Sequence, residues 1–263
     1  MFPYIDATRW HVGPVAFEPF RFLVALAIAV GCLIATKRAK RAGIAREHFA
    51  KLGLCVIATA FVGGHLAKFL YSPESWRMIA FEPERLLQVF NGQASFGALI
   101  GGYVAAVVFL LWNKVAYRDW FLYGDAAGFA LPFSWWIGRV GCYLVHDHPG
   151  VRTESVLGVR YPGGTRYDLG LLEVLFLLAL SAAFLYLNGK PRPRGFYYVS
   201  FLFSYGLFRF LLDGLHVDAP RYAGWTVDQI AAGVMIAAGV ITVLDLWRLE
   251  RARSGILPSP EAI

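Results

Sequence analysis

Charge is what this sequence has least of. Only 16% of its 263 residues are charged, against roughly 25% in soluble domains. Set beside a hydrophobic share of 57% and a mean hydropathy of +0.51, that shortage excludes an ordinary soluble globule. Cysteine is scarce as well. Cys32, Cys55 and Cys142 all fall in apolar stretches, which excludes a disulfide framework. Met1 to Glu18 is polar and aromatic without a basic start, so no cleavable leader is read there, and the first apolar segment is expected to stay in the protein. No low-complexity tract is visible, and no internal repeat of the kind that marks transporters. The formal net charge of +7 does not point to nucleic acid, because the Lys and Arg residues sit between apolar segments.

What is present is a series of apolar runs. Seven are long enough to span a bilayer, at about 17–36, 50–71, 94–113, 123–146, 168–187, 196–216 and 225–247. The connectors after the first, third, fifth and seventh hold 14 Lys and Arg, and the remaining connectors hold 7. The richer side is cytoplasmic by the positive-inside rule. The expected fold is therefore an all-α integral membrane protein of seven transmembrane helices, with the N-terminus outside and the C-terminus cytoplasmic. It forms a single domain over 1–263, with external loops at about 72–93 and 147–167. Gly97-x-x-x-Gly101 and Gly124-x-x-x-Gly128 are expected to let helices approach closely. Trp76, Trp120 and Trp225 suit interfacial belts.

Ionisable groups at membrane depth cost roughly 2.5–3.5 kcal/mol each and default to function. Arg209 and Asp213 are spaced i, i+4 and share a helix face, so they either neutralise each other or serve a site. Arg139 has no acid one turn before it. Two arginines near the outer half of a membrane suit a phosphate or a carboxylate, because the guanidinium is permanently charged and forked. His146-Asp147-His148 follows at the outer edge. A histidine there can act as a base, or the cluster can cap the segment. A metal is not expected, since His146 and His148 diverge on a helix. Lys68, beside His65, can snorkel to the interface. Glu173 is a candidate hydrogen-bonding partner within the bundle.

Taken together, these residues resemble the prolipoprotein diacylglyceryl transferase family over nearly the whole chain. Val12-Gly13-Pro14-Val15-Ala16 resembles the family's opening, and Gly63-Gly64-His65 its Gly-Gly-Arg. Ser95-Phe96-Gly97-Ala98-Leu99-Ile100-Gly101 is similar to Ser-Phe-His-Gly-Gly-Leu-Ile-Gly, and Gly138-Arg139-Val140-Gly141 to the signature Gly-Arg-x-Gly-Asn. Tyr167-Asp168 resembles Tyr-Glu, and Arg194-Gly195 resembles Arg-x-Gly. Tyr205-Gly206-x-x-Arg209-x-x-x-Asp213 resembles Tyr-Gly-x-x-Arg-x-x-x-Glu, and Asp228-Gln229 resembles Gly-Gln. The chain departs from the pattern at Gly97 (histidine), Cys142 (asparagine), Asp147 and Asp213 (glutamates) and Phe20 (tyrosine).

The resemblance implies seven transmembrane helices in the bacterial cytoplasmic (inner) membrane. It also implies transfer of a diacylglyceryl group from phosphatidylglycerol to the lipobox cysteine thiol of a prolipoprotein, recognised through its signal peptide. Glycerol phosphate leaves. No cofactor or metal is expected, and membrane lipids are the surroundings. Arg139 and Arg209 would hold the phosphate, with Asp213 beside them. His146, held by Asp147 or another acid, would replace the missing histidine as base, with His148 as the alternative. Gly138, Gly141, Tyr205, Gln229, Ser95 and His65 would line the substrate site. Two alternatives stay open: a related phospholipid-headgroup transferase with another acceptor, and an inactive lipid-binding scaffold.

Overall fold

The computed structural model describes residues 1–12, 15–71, 95–217, 219 and 221–253. Gly13, Pro14, Trp76, Arg77, Arg85 and the expected loop at 72–93 lie outside the described residues, as do the side chains of Lys68 and Ser95. Seven helices are present among the described residues, matching the seven apolar runs. They are α1 (Pro19–Arg41), α2 (Arg46–Tyr71), α3 (Ser95–Trp112), α4 (Tyr117–Val145), α5 (Leu169–Asn188), α6 (Phe196–Asp213) and α7 (Val227–Arg253). Helices α1 and α7 outrun their apolar runs, because basic residues such as Lys40, Arg41, Arg251 and Arg253 continue the helix. Among the described residues, four helices are long and apolar enough to cross a membrane: Pro19–Arg41, Arg46–Ala67, Leu169–Asn188 and Val227–Arg251.

The chain forms two compact units, one of Ala39–Trp120 and one of Met1–Arg38 with Phe121–Ile263. In the first, α2 and α3 pack along glycines. A Cβ at Gly97 would lie 2.2 Å from both the Ala67 Cβ and the Gly63 carbonyl oxygen, and one at Gly101 would lie 2.4 Å from the Thr59 carbonyl oxygen. The expected Gly97/Gly101 contact is realised, and it brings backbone against backbone.

In the second unit, Phe129, Leu177, Phe184, Tyr197, Phe201 and Tyr205 form an aromatic-rich core. The Gly124/Gly128 pair also does what the sequence suggests. A Cβ at Gly128 would lie 2.6 Å from the Tyr198 Cα, so α4 seats directly on the first turn of α6. That turn begins at Gly195, with φ +79, a left-handed conformation that glycine adopts without strain. Asp125 of α4 caps it, accepting from the backbone N–H groups of Gly195 (2.6 Å), Tyr197 (2.8 Å) and Tyr198 (3.2 Å).

The segment expected as a plain external loop at 147–167 is instead a small antiparallel sheet. Its strands are β3 (Pro149–Arg152), β4 (Val159–Tyr161) and β5 (Gly164–Asp168), ordered β3-β5-β4. Pro162 and Gly163 turn β4 into β5, and the side chains of β4 are too few to give a clear alternating pattern. Two-stranded hairpins also pair β1 (Trp10–Val12) with β2 (Val15–Phe17), and β6 (Arg221–Tyr222) with β7 (Trp225–Thr226).

Large apolar side chains such as Leu54, Phe61, Leu111, Leu185, Leu207, Leu211 and Ile241 are exposed, while Arg139, Glu173, Arg209 and Asp213 are buried. This inverts the arrangement of a water-soluble protein. It is what hydrocarbon surroundings select, since ionisable side chains face the bundle interior there.

Candidate active site

The buried charges of the second unit converge on one carboxylate. Glu173 sits in the second turn of α5 and is fully buried. Its Oε1 lies 2.9 Å from Nε of Arg139 on α4 and accepts a 2.5 Å hydrogen bond from the Tyr205 hydroxyl on α6. Its Oε2 lies 3.1 Å from Nη1 of Arg209 on α6. Thus Arg139 does have an acid, but on another helix.

The two arginines are unequally surrounded. Arg209 reaches two further carboxylates through Nη2: Asp228 Oδ2 at 2.8 Å and Asp213 Oδ1 at 3.3 Å. Arg139 meets Glu173, and its Nη1 points at the Cys142 sulfur 3.5 Å away. The charge of Arg209 is therefore largely matched by protein, and that of Arg139 much less so. Removing one member of such a buried network typically costs 3–5 kcal/mol, because a partner is left charged and dry.

The end of α6 and the start of α7 are tied to this cluster by a capping box, Thr226-x-x-Gln229. The Thr226 N–H donates to Gln229 Oε1 (3.1 Å), and the Gln229 N–H donates to Thr226 Oγ1 (3.0 Å). The Thr226 hydroxyl in turn donates to Asp213, and Gln229 Nε2 donates to the Phe210 carbonyl (3.3 Å). Gln229 thus holds the helix junction behind Arg209.

A second group stands where α4 ends. His146, with φ +51, leaves the helix, and its ring is buried. Nδ1 lies 2.7 Å from Oδ2 of Asp168, which also accepts from the Tyr161 hydroxyl at 2.7 Å. The other oxygen of Asp168 caps α5 by accepting from the Leu171 N–H (3.0 Å). Tyr4 stacks on the imidazole at 4.0 Å between centroids. The remaining nitrogen, Nε2, is buried without a hydrogen-bond partner. In a neutral ring whose Nδ1 donates to the carboxylate, Nε2 is the accepting nitrogen.

The acid at His146 is therefore Asp168; Asp147 instead lies 3.7 Å from His148. Desolvation pushes the Asp147 carboxyl up to about 6, with Arg139 opposing. Desolvation, reinforced by Arg139 and Arg209, pushes His148 down to about 4. Cys142, Asp147 and His148 place one donor atom each within 4.8 Å of one another. The fixed positive charge of Arg139 on the Cys142 sulfur makes that space a poor one for a divalent cation.

Other expected site residues make contacts of their own. Gly141 gives α1 its approach, since a Cβ there would lie 3.0 Å from the Phe20 ring, and Gly138 faces Ala27. His65 belongs to the α2–α3 unit, where its Nδ1 meets the Phe61 carbonyl at 2.8 Å. Ser95 opens α3 in the same unit. Glu173, Asp168 and Asp228 form the centre or flank of the site, yet the sequence points to them only weakly. The available signal was Glu173 itself, an acid in the run Leu169-Gly170-Leu171-Leu172-Glu173-Val174-Leu175.

A helical chain that turns apolar side chains outward and closes two arginines on one buried glutamate is a membrane protein with a polar site inside its bundle. Residues 8–244 match the prolipoprotein diacylglyceryl transferase family, and the chain belongs to that family. It is similar to the phosphatidylglycerol–prolipoprotein diacylglyceryl transferase of Mannheimia succiniciproducens, with 28% identity over 94% of this chain and 92% of that protein. It is likewise similar to the proteins of the same name from Escherichia coli O1:K1 and Shigella boydii serotype 18. Both are 27% identical over 94% of this chain and 95% of theirs.

Proposed function

We propose that this protein transfers a diacylglyceryl group from phosphatidylglycerol to the lipobox cysteine thiol of a prolipoprotein. The observation that carries this is the closure of Arg139, Glu173, Arg209 and Tyr205 on one another inside a member of this family. We infer one domain of seven spans in the bacterial inner membrane, with the N-terminus outside and the C-terminus cytoplasmic. The 14-to-7 split of basic residues between connectors supports that orientation.

In this reaction the acceptor sulfur attacks the glyceryl carbon that carries the phosphate ester. A C–S bond forms and the C–O bond breaks. Glycerol phosphate leaves with the electron pair, and the thiol proton passes to a base. Negative charge therefore grows on the departing phosphate. Arg139 is the arginine with capacity to meet it, since Glu173 is its one carboxylate partner among the described residues, whereas three carboxylates surround Arg209. Glu173 and Tyr205 hold the guanidinium in place beforehand, so little reorganisation is needed as charge develops. Arg209 fixes the other side of that glutamate and ties α5, α6 and α7 together.

His146 is the base in this account, oriented by Asp168 and presenting Nε2. A thiol with an ordinary pKa near 8.5 gains from such assistance. His146→Gln is expected to lower turnover by roughly 10²–10⁴-fold while phosphatidylglycerol binding stays unchanged. Full turnover in His146→Gln would remove the role. The function as a whole is tested by complementing a bacterial strain depleted of its diacylglyceryl transferase. Growth with the wild-type gene and none with Arg139→Ala is expected. Failure of the wild-type gene, correctly inserted in the membrane, would favour another acceptor or a scaffold.

A further inference from the structure

At the opposite end of α4 the second unit contains a pocket that the transfer reaction does not use. It has a volume of about 190 Å³, and Arg38, Asp125, Asn188, Lys190, Arg192 and Arg194 contribute its polar lining. Asp125 and Arg139 are fourteen residues apart on α4, a separation of about 21 Å at ~1.5 Å per residue. The pocket and the Arg139 cluster therefore belong to opposite ends of the bundle and, in a bilayer, to opposite leaflets.

Among the described residues that line this pocket, cations outnumber acids by four to one. The one acid, Asp125, is already engaged, with both oxygens accepting from the first backbone N–H groups of α6. Arg38 is fixed rather than loose. Its guanidinium stacks 3.9 Å from the Phe129 ring centroid and 4.2 Å from that of Tyr197, and its Nη1 donates to Asn188 Oδ1 at 2.6 Å. Arg192 is seated against the Phe196 ring, and its Nε is buried without a hydrogen-bond partner. A buried guanidinium N–H left unmatched in a cationic cavity calls for an anion with several acceptor oxygens.

We propose that this pocket binds a phosphate-bearing anion, the headgroup phosphate of a phospholipid in that leaflet or free phosphate. Fixed arginines beside a backbone turn suit the tetrahedral oxygens of phosphate, and basic pockets between membrane helices are known to take anionic headgroups. The proposal does not depend on the transferase reading, because no residue of the pocket belongs to the Arg139–Glu173–Arg209 cluster.

The test compares the full-length purified protein with the triple variant Lys190→Gln/Arg192→Gln/Arg194→Gln and with Arg139→Ala. One arm counts lipids retained in native mass spectrometry from phosphatidylcholine micelles doped with phosphatidylglycerol. The other follows the thermal midpoint in phosphatidylcholine alone as inorganic phosphate is added. Charge-assisted contacts are worth about tenfold or more each in affinity. The triple variant is therefore expected to lose an anionic lipid that wild type and Arg139→Ala both keep, or to lose a phosphate-dependent rise in midpoint. The first outcome identifies a lipid headgroup and the second free phosphate. Should the triple variant not fold, Arg192→Gln alone is read in the same way. Identical lipid counts and identical phosphate responses in wild type and variant overturn the proposal. So does an anionic lipid lost only in Arg139→Ala.

Discussion

In the α2–α3 pair two backbones meet at Gly63, Gly97 and Gly101, and the contact has no room for a side chain. Around the charged cluster of the second unit, α4, α5 and α6 are joined through side chains, with Glu173 holding Arg139, Arg209 and Tyr205 at 2.5–3.1 Å. The first arrangement draws on dispersion between close surfaces and loses its contact if anything is added. The second depends on every charge keeping its partner and fails if anything is removed. The family histidine to which Gly97 corresponds by resemblance therefore belongs to a position that here serves packing. In the proposed reaction the chemistry is carried by residues of the charged bundle.

The strongest way to break this contrast is to remove charge. Arg209→Ala strands Asp213 and Asp228 without their shared cation and leaves Glu173 with Arg139 and Tyr205, and a loss of about 3–5 kcal/mol in unfolding free energy is expected. Arg139→Ala leaves Glu173 with Arg209 and Tyr205, so its stability should fall less. Its turnover, by contrast, should fall by roughly 10²–10³-fold, with poor rescue by Arg139→Lys. Equal stability losses in thermal melts of the two variants would erase the asymmetry between the arginines.

Gly97→His sharpens the comparison from the other side. It restores the family residue and yet should damage the protein, because the new Cβ would sit 2.2 Å from the Gly63 carbonyl oxygen. A cost of about 1–3 kcal/mol or more is expected from overpacking. A Gly97→His protein that is as stable as wild type and more active would contradict the packing role.

The smallest effect is one of pH, at the end of α4. With Asp147 raised to about 6, the folded protein binds a proton there that the unfolded chain, with an ordinary carboxyl near ~3.9, does not. That group gains stability as pH falls from about 6 to ~4. With His148 lowered to about 4, the unfolded chain binds the proton first, from ~6.5 downward, and stability is lost on acidification. The two slopes oppose each other in wild type. In thermal melts between pH 6 and ~4, Asp147→Asn should be destabilised by acid more steeply than wild type, and His148→Gln less steeply. Unchanged slopes in both would remove the opposed shifts assigned to Asp147 and His148.

Much of the fold was legible in the sequence, because apolar runs and small-residue spacings are local signals. The seven runs became α1 to α7, and the Gly97/Gly101 and Gly124/Gly128 pairs both mark close contacts. The three-stranded sheet was not legible, since β3, β4 and β5 span only three to five residues each. Of the site, the arginines stood out because charge in an apolar run is conspicuous. Their partners did not, because pairing across helices has no fixed sequence spacing. Arg139 to Glu173 spans three elements of sheet between two helices, and His146 finds its acid in Asp168 rather than in the adjacent Asp147.

The most direct measurement incubates the purified protein with phosphatidylglycerol labelled in its acyl chains and a peptide carrying a lipobox cysteine. The reaction is followed by mass spectrometry of the peptide together with release of glycerol phosphate. Wild type is predicted to give a peptide carrying a thioether-linked diacylglyceryl group and an equal amount of glycerol phosphate, and Arg139→Ala to give neither above background. A wild-type protein that binds the lipid but leaves the thiol unmodified, or an Arg139→Ala variant that transfers at the wild-type rate, would contradict the account.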